Sequence, residues 1–105
     1  MERLTICKNT FLDEQNQRCD LDYSMLICKD ADGESYGVAI VKRDAGGIAE
    51  EERFLGISLR PARVQAFLRK LCRATALPVE LAALCDDFIS EEQLADAQDA
   101  MPSAV

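Results

Sequence analysis

The chain has 105 residues, 49% hydrophobic and 30% charged, with a formal net charge of −7. That length and balance fit one folded domain and exclude a disordered or low-complexity chain. No apolar run approaches the roughly 18–20 residues of a membrane span, and Met1-Glu2-Arg3-Leu4-Thr5 lacks the basic-then-apolar pattern of an export signal.

Leu4-Thr5-Ile6-Cys7 favours β structure and reads as an edge strand or an arm. Asn9 to Asp22 is dense in polar residues and reads as a loop. From Leu21 to Cys28 both alternating sets are largely apolar, which suits a strand covered on much of both faces. Asp30-Ala31-Asp32-Gly33-Glu34-Ser35 is a turn, and Tyr36 to Lys42 is a second clear strand, so the pair predicts a β-hairpin. Arg43 to Gly47 turns the chain again, and Ile48 to Leu59 completes a meander, with Glu50-Glu51-Glu52 at a wet end and Gly56 marking a bulge.

Near residue 60 the apolar period lengthens. Ser58 or Arg60 as cap and Pro61 in the first turn predict a helix over 60–76, its apolar stripe built from Val64, Phe67, Leu68 and Leu71. A second helix is predicted over 79–89. Ser90-Glu91-Glu92-Gln93 matches a capping box, which predicts a break and a fresh start. Residues 1–89 thus form one domain, and 90–105 an acidic tail or a weak third helix. The expected core comprises Met25, Ile27, Val38, Ile40, Leu55, Ile57, Val64, Phe67, Leu68, Leu71, Leu81, Leu84 and Phe88.

Side-chain chemistry is sparse. The chain has no His, so general base and imidazole ligand are both missing. Its five cysteines include no C-x-x-C pair, which argues against structural zinc; no metal and no cofactor is expected. The odd count, with no export signal, argues against a disulfide framework. The cysteines therefore read as reduced core or near-core thiols of a cytoplasmic protein, with Cys19 the exposed one. Asp86 and Asp87 are adjacent on a helix and do not share a face. Gly46-Gly47 precedes a strand rather than a helix, so it is a turn and not a phosphate loop. An enzyme would require Tyr23, Tyr36, Cys72 and carboxylates to converge in space.

Charge is the sharpest local signal. Residues 1–59 carry a net −5, residues 60–78 a net +5 with no acid, and residues 79–105 a net −7 with no base. On the first helix Arg63, Arg69, Lys70 and Arg73 lie opposite the apolar stripe. Such a face pairs with Glu80, Asp86 or Asp87 of the next helix, docks an acidic protein, or follows nucleic acid.

From Tyr36 to Ile89 the order of features resembles a family of small uncharacterised domains found mainly in clostridial bacteria. The resemblance lies in Tyr36-Gly37-Val38-Ala39-Ile40, Ile57-Ser58, the helix with Val64, Leu68 and Leu71, Leu77-Pro78-Val79-Glu80-Leu81, and Asp86-Asp87-Phe88-Ile89. It implies a fold and supplies no catalytic residues.

The expected fold is α+β: an antiparallel meander of three to four strands, one face covered by the two C-terminal helices. Leu26, Cys28 and Val41 would then line the uncovered face, which predicts a homodimer or a docked protein partner. The function expected is a non-catalytic, cytoplasmic interaction or regulatory module. The alternative is a nucleic-acid-associated regulator using Arg63, Arg69, Lys70 and Arg73. No membrane partner is expected.

Overall fold

The computed structural model describes residues 1–100, with side chains described through residue 94. Four strands form one open antiparallel sheet in chain order, β1 (Glu2–Leu12), β2 (Arg18–Asp30), β3 (Gly33–Asp44) and β4 (Gly47–Ser58). Two helices follow, α1 (Pro61–Arg73) and α2 (Leu81–Ala100), joined through a 3₁₀ turn at Pro78–Glu80. The α+β meander read from the sequence is the fold, with four strands.

The polar stretch Asn9–Asp22 is not a loop. Asn9–Leu12 continue β1 and Arg18–Asp22 open β2, paired from Asn9↔Leu21 to Leu12↔Arg18. Only five residues turn. Asp13 Oδ1 accepts the backbone N–H groups of Gln15 (2.8 Å) and Gln17 (2.9 Å), and Asn16 takes a left-handed φ of 59°. A side-chain carboxylate thus does the work that glycine does in other hairpins. Cys19, expected at the surface, is 1% exposed because it faces inward opposite Phe11.

The sheet has three register shifts, one of them between Lys42 and Arg43, and the other two bear on the packing. The first lies between Thr5 and Cys7. Leu4 pairs with Met25 and faces the helices; beyond the extra residue, Ile6, the phase reverses, so Cys7, Asn9 and Phe11 face that side instead. The second lies in β4, where Leu55, Gly56 and Ile57 stand opposite Gly37 alone. Gly56 has φ 61°, in keeping with the bulge read there. A Cβ on Gly37 would fall 2.2 Å from the Phe54 carbonyl oxygen, so β4 folds its backbone over a position only glycine can occupy. Phe54 pairs with Val38 and faces the helices, so alternation puts Leu55 on the other face, 54% exposed and outside the core.

The helices cover one face, α1 across β1, β2 and β3, and α2 against β4. Leu21, Tyr23, Met25, Val38 and Ile40 meet Val64, Leu68, Leu71, Leu81 and Phe88 there. Ile27, Ile57, Phe67 and Leu84 pack on this core half-buried. The other face is not the exposed apolar surface expected: Leu26 and Val41 are each 1% exposed in the single chain. The sheet curls, bringing the unpaired strands β2 and β4 within 8 Å between Cα atoms, against roughly 9.5 Å for two strand spacings in a flat sheet. Arg3 of one edge strand then reaches Glu51 of the other at 2.9 Å across that face. The premise for dimerisation through that face falls with it.

α1 stops at Arg73, three residues early. Thr75 adopts a left-handed φ of 53°, and the Ala76 N–H returns to the Leu71 carbonyl at 3.0 Å, a reversal that closes the helix. α2 begins at Leu81 and shows no break at Ser90; it runs to Ala100. Glu92 is not part of a cap. It is buried in a side-chain network, and that packing carries the helix through. The separate tail or third helix thus begins as a continuation of α2, and its last residues, 101–105, lie outside the described residues.

Candidate functional site

The chemistry-bearing side chains gather at the two ends of α1. At its N-terminal end, Pro61 occupies the first turn and Arg60 the cap position. The Arg60 N–H is satisfied by Ser58 Oγ at 3.0 Å, and the same hydroxyl donates to Glu92 Oε2 at 3.0 Å. Arg63 Nη1 donates to Glu92 Oε1 at 2.7 Å. Both carboxylate oxygens are thereby bound, tying β4, α1 and α2 at one point. Burial pushes the Glu92 pKa up. The hydrogen bonds from Arg63 and Ser58 and the charges of Arg63 and Arg60 outweigh it, so the carboxyl stays below its usual range. Beside this network Ile57, Leu59, Arg60, Ile89 and Gln93 line a cavity of about 390 Å³. Phe67 and Phe88 stack at 4.5 Å between the helices.

At the C-terminal end three ties converge from strands distant in sequence. Cys7 and Cys72 form a disulfide spanning 65 residues. Asn9 Nδ2 donates to the Cys72 carbonyl (2.8 Å) and to Thr75 Oγ1 (3.0 Å). The Tyr23 hydroxyl donates to the Ala76 carbonyl at 2.8 Å, inside the core. These bonds satisfy carbonyls that a helix end leaves open. Burial, with Glu80 nearby, pushes the Tyr23 pKa up to about 12. The disulfide corrects the reading of five reduced thiols. Cys19, Cys28 and Cys85 are free, and burial, with Asp86 beside it, pushes the Cys85 thiol up to about 11.

The four predicted basic residues do not act together. Arg63 is drawn into the Glu92 network. Arg69, Lys70 and Arg73 are exposed on the outer side of α1. The expected internal pairing fails: among the described residues Glu80, Asp86 and Asp87 form no ion pair with them. Glu80 instead accepts the Leu77 N–H at 3.2 Å. Tyr36 hydrogen-bonds Glu34 at 2.6 Å and is not brought to Tyr23 or Cys72. Among the described residues no three His, Cys, Asp or Glu side chains cluster as a metal site would require. No helix described is long and apolar enough to cross a membrane. Sequence reasoning missed the meeting of Ser58 with Glu92, the role of Asn9 and the cysteine pair, all of which depend on contacts between distant elements.

Fold and side-chain arrangement define a small α+β domain whose first helix is fastened at both ends and presents a basic outer face. Residues 2–91 match the family of unknown function DUF6514, and the chain belongs to that family. The match takes in β1 and β2 as well as the segment 36–89 on which the resemblance rested. No curated protein and no solved structure matches the chain.

Proposed function

We propose that this domain is a non-catalytic, cytoplasmic protein-interaction module, that its contact surface is the outer face of α1, and that its home is clostridial. The observation that carries this reading is the exposure of Arg69, Lys70 and Arg73 within two turns of a rigidly held helix, without an ion-pair partner among the described residues. Three cations on so small a face suit a short acidic segment of a partner protein. A nucleic acid suits it less, because a chain of net charge −7 repels a long polyanion at a distance. Self-association uses this face on a second copy's acidic surface, since Leu26 and Val41 on the helix-free side of the sheet are already buried in the single chain.

Fluorescence anisotropy of a labelled Asp- and Glu-rich peptide at low salt tests the reading. Binding is expected, weakening as salt screens the face and dropping by about tenfold or more in Arg69→Glu/Arg73→Glu. Equal affinity of the variant overturns it. Tighter binding of a labelled single- or double-stranded oligonucleotide than of the peptide assigns the face to nucleic acid instead.

A further inference from the structure

We propose that Cys7 and Cys72 are a reversible thiol–disulfide latch, which locks and releases the C-terminal turn of α1 without unfolding the domain. The placement of the pair supports this. Cys72 is almost fully buried, whereas Cys7 is half-buried on β1, an edge strand whose residues are mostly exposed. One sulfur of the bond is thus within reach of an external thiol and the other is sheltered by the core.

Cys85 is kept from competing for the pair. Cys85 belongs to the same buried cluster as Cys72. It carries its proton at any physiological pH, because burial holds its thiol at about 11. A protonated thiol does not attack a disulfide, so Cys85 does not scramble the bond.

The turn is also held without the bond. Asn9 and Tyr23 keep their hydrogen bonds to Cys72, Thr75 and Ala76 when the sulfurs part. The fold therefore survives, while the turn loses its only covalent tie. That turn includes Thr75, a β-branched residue at φ 53°, a conformation such residues rarely take unless their surroundings impose it. A strained turn relaxes when one of its restraints goes.

The chemistry balances with a low-molecular-weight thiol of the glutathione class as co-reactant. Its thiolate attacks Cys7 Sγ, the S–S bond breaks, and Cys72 leaves as a thiolate that takes up a proton. A second thiolate attacks the mixed disulfide on Cys7, releasing that thiol and the oxidised small disulfide. Oxidation is the reverse, the small disulfide accepting the two electrons. Cytosolic disulfides are commonly transient ones that respond to redox state, which is what the placement of this bond provides. Lys70 and Arg73 lie on the last turn of α1, so the latch would also set how the basic face is presented. That last step and the cytosolic setting rest on the function proposed above.

The test equilibrates the full chain in glutathione buffers of graded poise, traps free thiols by alkylation and locates them by peptide mass spectrometry. Backbone amide exchange and acidic-peptide binding are followed in the same samples. Expected are one two-electron transition confined to Cys7 and Cys72, unchanged far-UV circular dichroism at both ends, and amide exchange at residues 72–76 faster by about tenfold in the reduced protein. Cys7→Ser/Cys72→Ser should match the reduced protein in every buffer. Global unfolding on reduction, pairing by any other cysteine, or exchange at 72–76 indifferent to redox state overturns the latch. A transition with the expected exchange, but no peptide binding in either state, leaves the latch standing and overturns the proposed function.

Discussion

The two ends of α1 are fastened by different physics. At the N-terminal end an ion pair of Arg63 and Glu92, with the Ser58 hydroxyl on the same carboxylate, joins three elements. At the C-terminal end a covalent bond and neutral hydrogen bonds join the helix to β1 and β2. The charged end is directional and depends on ionisation. The other end depends on thiol chemistry and on a buried phenol. One helix is therefore open to two unrelated kinds of perturbation, each acting on a different terminus.

The largest expected effect is at the disulfide. The chain-entropy account gives about 4 kcal/mol for a closed loop of this span, so Cys7→Ala/Cys72→Ala should lower the urea unfolding free energy by that order. No change would show that the covalent tie adds nothing to the hydrogen bonds beside it. Next comes Glu92→Ala, which leaves Ser58 and Arg63 without their shared acceptor. Because the Arg63 side chain is 43% exposed and can recover water, the loss should be about 2 kcal/mol rather than that of a fully buried pair. Smallest is Tyr23→Phe, which removes one buried hydrogen bond to Ala76, at a loss of about 1 kcal/mol by the same measurement.

The ends should also separate in pH. The folded-state pKa of Glu92 is depressed, so its stabilisation is present above the unfolded carboxyl pKa and disappears as pH falls through the folded value. The folded-state pKa of Tyr23 is raised, so its contribution is complete below the unfolded pKa near 10 and disappears as pH rises toward about 12. Denaturation curves of the parent, Glu92→Gln and Tyr23→Phe across both ranges check this. Each variant should flatten one limb only, and a variant that flattens both would erase the distinction between the ends.

Local pattern explains what was legible. The hairpin of β2 and β3, the third connection and the amphipathic α1 each announce themselves over a few neighbouring residues. Arg18-Cys19-Asp20-Leu21-Asp22-Tyr23 also alternates strictly, yet its charge density reads as loop, because an edge pairing supplies the partner that the segment lacks by itself. The phase of β1 was not legible, since a bulge at Ile6 inserts no turn residue and breaks no apolar run. The apolar run Phe54-Leu55-Gly56-Ile57 does not reveal its own phase; the pairing of Phe54 with Val38 turns Phe54 inward and Leu55 outward. The basic residues were visible, but dividing Arg63 from Arg69, Lys70 and Arg73 requires knowing that Glu92 lies beside only the first. The capping-box pattern at Ser90 was genuine as a pattern and was overridden by that same contact.

The extra residue at Ile6 has a consequence for how the family is compared. It decides which side of β1 carries sulfur: with Ile6 as the extra residue Cys7 lies opposite Tyr23 on the helix side, whereas a chain of the same length paired from Leu4 without a bulge would turn that cysteine to the other face, away from Cys72. Two relatives with the same pair of cysteines can thus differ in whether those cysteines ever meet, and the pairing register of the first strand distinguishes them where cysteine conservation alone does not.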